Sequence, residues 1–223
     1  MHSSKQALII GASRGIGLGL ANTLAQRGWK VSATTRNTTP VSDSGIYWLI
    51  ADINEPTQRQ TLKNEIEDNA WDLIFINAGV FGPDDQSLAK AKDEELHALF
   101  LTNALSPVRC AAELLPFLSK ENGVLALMTS QLASLTENPS ATYPLYSASK
   151  AALNMLSREL KEHLASGQTL LNIHPGWVQT DMGGESATLT VGQSTQGIID
   201  QVEAWAGKGG HHYIDYAGKQ LSW

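Results

Sequence analysis

Short apolar or β-branched runs recur along the chain at 7–10, 29–35, 47–50, 72–76, 123–129 and 169–174, and predict six strands. The segments between them carry helical patterning at 15–27, 56–68, 93–118, 146–165 and 194–206, and a last short strand is expected at 212–214. Gly28 stops the first helix, and Pro56 opens the second from its first turn. Strands that read apolar on both faces and alternate with helices predict a parallel sheet covered on both sides. No internal repeat or linker divides the sequence. The expectation is one doubly wound α/β domain of Rossmann type over residues 1–223.

Composition narrows the classes. Apolar residues make up 42% and charged residues 17%, a globular balance rather than a disordered one. The net charge of −6, with no stripe of Lys or Arg, argues against nucleic acid as a partner. The lone cysteine, Cys110, excludes an internal disulfide and reads as a buried structural thiol in a reducing compartment. No apolar run reaches membrane-spanning length, and the first residues lead into a strand without a signal-peptide pattern, so the cytoplasm is expected.

Two constellations carry chemistry. Gly11-Ala-Ser13-Arg14-Gly15-Ile16-Gly17 lies between the first strand and the first helix. There glycines permit a tight turn and close approach of backbone to a pyrophosphate, and the helix N-terminus offers free N–H groups. Tyr146 and Lys150 stand four residues apart, one helical turn, which puts a phenol beside an ammonium. A neighbouring cation favours phenolate and is expected to lower the tyrosine pKa toward the range useful for acid–base work.

The GxxxGxG turn and the Tyr-x-x-x-Lys pair together resemble the short-chain dehydrogenase/reductase family, and further landmarks come in that family's order. The resemblance implies that Asp52 and Ile53 contact the adenine ring, that Asn77-Ala78-Gly79 lines the cofactor, and that Asn103, Ser130, Tyr146 and Lys150 form a catalytic tetrad. It also implies that Pro175, Gly176, Val178 and Thr180 close around the nicotinamide, and that Gly11, Ser13, Arg14, Gly15, Ile16 and Gly17 hold the phosphates. In these roles Tyr146 gives a proton to a carbonyl oxygen, Ser130 orients the substrate, and Lys150 also binds the nicotinamide ribose. Asn103 holds a water that links Lys150 to solvent. The tail, 174–184 and 213–223, looks like the carbonyl-reductase group of that family, which includes C-factor and Sniffer proteins.

Two departures stand out. Ile10 occupies the position where the family has Thr, so a hydroxyl that ties the turn is lost. The stretch from Ser130 to Tyr146 is longer than the usual spacing, which makes Ser134 a rival serine and Tyr143 a rival tyrosine. Ser130 is preferred because it directly ends a strand, and Tyr146 because only it has Lys four residues on.

The second strand ends in Arg36 with no acid in reach, and Arg14 approaches from the glycine turn. Both suit a 2′-phosphate, so NADP(H) is expected over NAD(H). The expected activity is reduction of an aldehyde or ketone. The alternative is a dinucleotide-binding signalling protein like C-factor, which has no use for all four tetrad residues together. Residues 183–193 are expected to form a short substrate lid without Arg or Lys, with Trp177, Leu132 and Tyr143 near the pocket. No metal site is expected, since His211 and His212 would point to opposite faces of a strand. His174 reads as a hydrogen-bonded structural residue. The small residues Ala104, Ala111, Ala112, Ala151 and Ala152 predict helices that pair in a homodimer or homotetramer.

Overall fold

The structure, a computed structural model, describes residues 4–37, 45–67 and 69–223. Among the described residues the seven strands are β1 (Gln6–Ile10), β2 (Lys30–Thr35), β3 (Tyr47–Ile50), β4 (Leu73–Ile76), β5 (Val124–Met128), β6 (Thr169–His174) and β7 (Gly210–Asp215). All pair in parallel in the order β3-β2-β1-β4-β5-β6-β7. The helices are α1 (Gly15–Gln26), α2 (Pro56–Ile66), α3 (Asp93–Phe100), α4 (Ser106–Leu114), α5 (Pro144–Leu160) and α6 (Val191–Trp205). This is the expected doubly wound sheet. Asp68, the expected end of α2, and residues 1–3 lie outside the described residues.

Alternate side chains along each strand feed two separate cores. Leu8, Ile10, Ile74, Ile76, Leu125 and Leu127 meet Leu62, Ala111, Leu114 and Leu153 from α2, α4 and α5. Their neighbours Ala7, Ile9, Leu73, Phe75, Val124 and Ala126 meet Leu20, Leu24, Ile198 and Val202 from α1 and α6. Burial on both faces is why these strands show no polar alternation.

The single helix expected over 93–118 is broken. Between α3 and α4 the residues Leu101–Leu105 form a π-turn, closed by Ser106 N donating to Leu101 O, and Leu115–Phe117 ends the region as a 3₁₀ turn. Pro107 has no N–H, so the carbonyls of Thr102 and Asn103 lack the donor that this position would otherwise supply. The helix expected over 146–165 instead starts at Pro144, in its first turn. α6 begins at Val191, so the last three residues of the expected lid are helical.

Ala104 and Ala111 lie in the core, not on an outer face; Leu105, Ala112 and Met155 are apolar residues exposed in this region. Among the described residues no helix is long and apolar enough to cross a membrane.

Candidate active site

A cleft of about 470 Å³ runs along the carboxyl ends of the strands, where the sheet order reverses between β1 and β4. Its wall includes Gly11, Ser13, Arg14, Gly15 and Ile16 from the glycine turn, Arg36, Asp52 and Ile53, and Asn77, Ala78 and Gly79. Tyr146, Lys150, Pro175 and Thr180 complete it. Five predicted residues stay out of the wall: Asn103 and Ser130 of the expected tetrad, and Gly17, Gly176 and Val178. Gly17 packs beneath the turn, where an added Cβ would lie 2.2 Å from Gly11 O. Gly176 packs against Leu189. Val178 is buried and forms a bridge with Leu189. Thr35, Asn54, Thr102 and Thr129 also line the cleft with no sequence motif to mark them, as do Gln179, Asp181 and Met182 from the 174–184 stretch.

The glycine turn is held from both sides. Thr34 Oγ1 on β2 accepts from Gly11 N at 2.9 Å, which supplies a hydroxyl tie despite Ile10. Asn77 Nδ2 donates to Gly11 O at 2.8 Å. The turn delivers the N-terminus of α1, whose first turn carries no acid to oppose an anion. The Asp52–Ile53 turn is pinned by Arg59, almost fully buried, which donates to Ile53 O at 2.8 Å and pairs with Glu113 at 3.0 Å. Glycine backbone, a helix N-terminus and two arginines fit a dinucleotide with a terminal phosphate. Arg36 is exposed at the rim, whereas Arg14 forms an exposed ion pair with Asp181 across the cleft mouth.

At the far end Tyr146 and Ser130 share a side-chain hydrogen bond. Ser130 does not end β5; it lies two residues beyond Met128 and caps the 3₁₀ turn Gln131–Ala133, accepting from Leu132 N at 3.2 Å. Its carbonyl accepts from the Tyr213 hydroxyl at 2.6 Å. The rival Ser134 instead accepts from Glu137 N; Ser130, not Ser134, is the serine bonded to Tyr146. Tyr143, the rival tyrosine, is half exposed and sits before α5 in a left-handed conformation, φ 50° and ψ 65°. Its ring meets the edge of Phe81 at 5.0 Å, and Phe81 stacks on Tyr146 at 5.5 Å.

Lys150 is buried and donates from Nζ to Met128 O at 2.9 Å. Its Nζ lies 5.9 Å from the Tyr146 ring centre. The expected lowering of the tyrosine pKa is reversed here. Burial pushes Tyr146 up to about 12, with only the Ser130 hydrogen bond opposing it. Burial also brings Lys150 down to about 8, so desolvation outweighs the mutual effect of the pair.

Asn103 is fully buried within the π-turn. Its side chain accepts from Val80 N and donates to Val80 O, both at 2.8 Å, and donates to Ser149 Oγ at 2.9 Å. Ser149 Oγ in turn donates to the Tyr146 carbonyl. Asn103 Oδ1 and Lys150 Nζ both press on Gly79, 3.3 and 3.2 Å from where a Cβ would stand. The asparagine amide is thus engaged with backbone and Ser149, not directed at a water beside Lys150.

The other polar residues take structural places. His211 pairs with Asn172 Oδ1 at 3.0 Å, and His212 with Gly209 O at 2.9 Å against the Trp205 ring. His174 Nδ1 has no hydrogen-bond partner among the described residues, contrary to the hydrogen-bonded reading, and burial holds this imidazole neutral down to about 4. Cys110 is buried, and its thiol is pushed up to about 12.

A profile described as short chain dehydrogenase matches residues 5–189. The chain belongs to that family. This short-chain dehydrogenase is 35% identical over 156 residues to C-signal of Myxococcus xanthus, a match covering 68% of this chain and 92% of the relative. A carbonyl reductase from Pseudomonas aeruginosa, solved in complex with NADP, superposes with a TM-score of 0.90 and 40% identity, covering 99% of this chain and all of that one. The carbonyl reductase Sniffer of Drosophila melanogaster superposes at 0.82 with 26% identity over the full length of both. The chain is an oxidoreductase by family and fold.

Proposed function

We propose that this chain is an NADP(H)-dependent carbonyl reductase acting on apolar, neutral aldehydes or ketones. One observation carries the reading: Tyr146 and Lys150 line one end of a cleft whose other end is the glycine turn, flanked by Arg14 and Arg36, and Tyr146 is hydrogen-bonded to Ser130 just behind that wall. The NADP-bound Pseudomonas carbonyl reductase supports the cofactor assignment. Phe81, Tyr143 and half-exposed Trp177 and Met182 support an apolar substrate.

The bound reduced nicotinamide supplies the hydride. Tyr146 stays protonated through neutral pH and gives its proton to the carbonyl oxygen as negative charge develops there. Ser130 touches the same hydroxyl and holds the oxygen beside it. Lys150, with its pKa near 8, would hold the nicotinamide ribose and is poised to return a proton toward Tyr146. A phenol held protonated suits reduction better than the reverse reaction at neutral pH. The similarity to C-signal leaves a signalling role as the second reading; a pure sensor does not need the Ser130–Tyr146 contact.

The test is a panel of aldehydes, ketones and quinones, followed by loss of NADPH absorbance. Turnover is expected with aromatic and aliphatic carbonyls, and Tyr146→Phe should abolish it while NADPH still binds. Equal turnover in Tyr146→Phe, or no turnover across the panel, would overturn the reading.

A further inference from the structure

Helix α5 carries the catalytic tyrosine in its first turn, and that turn cannot cap itself. Pro144, Leu145 and Tyr146 are its first three residues, so the Tyr146 N–H is one of the amides without a helical partner. An N-cap side chain normally accepts from such an amide, but here the N-cap is Tyr143, which makes no side-chain cap. The acceptor comes from sixty residues away. Gln86 Oε1 accepts from Tyr146 N at 2.8 Å.

The other end of the same amide is also committed. Gln86 Nε2 donates to Pro83 O at 2.8 Å and to Phe81 O at 3.1 Å. One buried side chain therefore binds the backbone of Tyr146 and the backbone of Phe81, whose ring stacks on the Tyr146 ring. Gln86 itself sits at φ 50°, a left-handed conformation that is strained for a residue with a side chain. Glycine would relieve that strain, so backbone comfort does not explain the glutamine; its three hydrogen bonds do.

We propose that Gln86 is a positioning residue for Tyr146: it caps α5 from the loop after β4 and fixes the Phe81–Tyr146 stack, thereby setting where the phenol meets the substrate. The proposal rests on Tyr146 being the proton donor. Because Gln86 does not line the cofactor cleft, it acts on turnover rather than on cofactor binding.

The experiment compares Gln86→Gly, Gln86→Ala and Gln86→Glu with wild type and Tyr146→Phe, using NADPH and para-nitrobenzaldehyde. In Gln86→Gly, kcat should fall about 10- to 100-fold, as a displacement of roughly 1 Å at a reacting group would cause, while KM and NADPH affinity stay within about twofold. The melting temperature should change by no more than a few degrees, since the strain released at φ 50° offsets part of the cost of the three lost hydrogen bonds. Amide exchange at Tyr146, read by NMR without any turnover, should speed up in Gln86→Gly and Gln86→Ala. The tyrosine titration should move down from about 12 as the stack loosens, read as absorbance against the matching Tyr146→Phe protein.

Gln86→Glu keeps the acceptor. It should approach wild-type turnover at low pH, where a protonated carboxyl still donates to Pro83 O, and lose it as the carboxyl ionises. Wild-type kcat, or unchanged exchange at Tyr146, in Gln86→Gly would overturn the proposal. So would a fall in kcat accompanied by equal losses in NADPH binding and melting temperature. If Tyr146→Phe turns over like wild type, the proposed function fails instead, and the exchange measurement alone still decides the cap.

Discussion

Tyr213→Phe deletes one oxygen atom and leaves the rest of the ring in place. That oxygen donates to Ser130 O at 2.6 Å from β7, across the sheet edge, and Tyr213 is buried. Its pKa is raised by burial, so the hydroxyl remains a donor at every working pH. The ring keeps its contact with Trp223 at 5.2 Å, so apolar packing is conserved and the change isolates the hydrogen bond. Leaving a buried carbonyl short of its donor costs about 1–3 kcal/mol. In a chain of this size each kcal/mol lowers the melting temperature by about 2–4 °C, so a drop of roughly 2–12 °C is expected. Ser130 Oγ belongs to the same residue and touches Tyr146, so turnover should also fall, by about tenfold, while NADPH affinity is unchanged. Calorimetry and NADPH oxidation measure the two effects. A melting temperature within about 1 °C of wild type would refute the hydrogen-bond argument. A lowered melting temperature with wild-type kcat would refute the positioning of Ser130.

Three further predictions follow from particular groups. Arg36→Ala should weaken NADPH about 10- to 100-fold, the value of one charge-assisted bond of about 1.5–3 kcal/mol, with little effect on NADH; equal wild-type affinity for both cofactors, by titration, would contradict it. Burial lowers the pKa of folded Lys150 from 10.5 to about 8, so the unfolded chain binds more protons between those values and wild-type stability rises with pH across that window. Lys150→Met should remove this rise in urea unfolding, and parallel pH profiles for the two proteins would refute it. The exposed Leu105, Ala112 and Met155 on the outer side of α4 and α5 should be covered in a homodimer or homotetramer, so light scattering should give a multiple of 24.0 kDa; a 24.0 kDa species at micromolar concentration would count against it.

Most of the frame is legible in the sequence because it depends on local rules. Continuous apolar runs mark buried parallel strands, and Gly28 and Pro56 mark helix boundaries, so strand and helix positions agree within a few residues except over 93–118, where the expected helix is broken. The glycine turn and the Tyr146–Lys150 pair are visible because their geometry follows from spacing along one element. The direction of the tyrosine shift is not visible in this way. Spacing shows which groups are neighbours, but desolvation depends on what the rest of the fold packs around them, and here it dominates.

The residues that hold the site in place are illegible for the same reason. Gln86 and Tyr146, Tyr213 and Ser130, and Thr34 and Gly11 are pairs joined only through the fold, each with one ordinary-looking partner. Their one sequence signal is a residue out of keeping with its element. Pro107 stands inside a long helical pattern and marks the π-turn that places Asn103. Asn172 stands in the middle of an apolar strand, fully buried, and bonds to Asn154, Ser157 and His211, tying β6 to α5 and β7 beneath the Tyr213–Ser130 contact. A buried amide there is tolerated only because its partners satisfy it. Local misfits of this kind mark the places where tertiary structure, rather than propensity, determines what an element does.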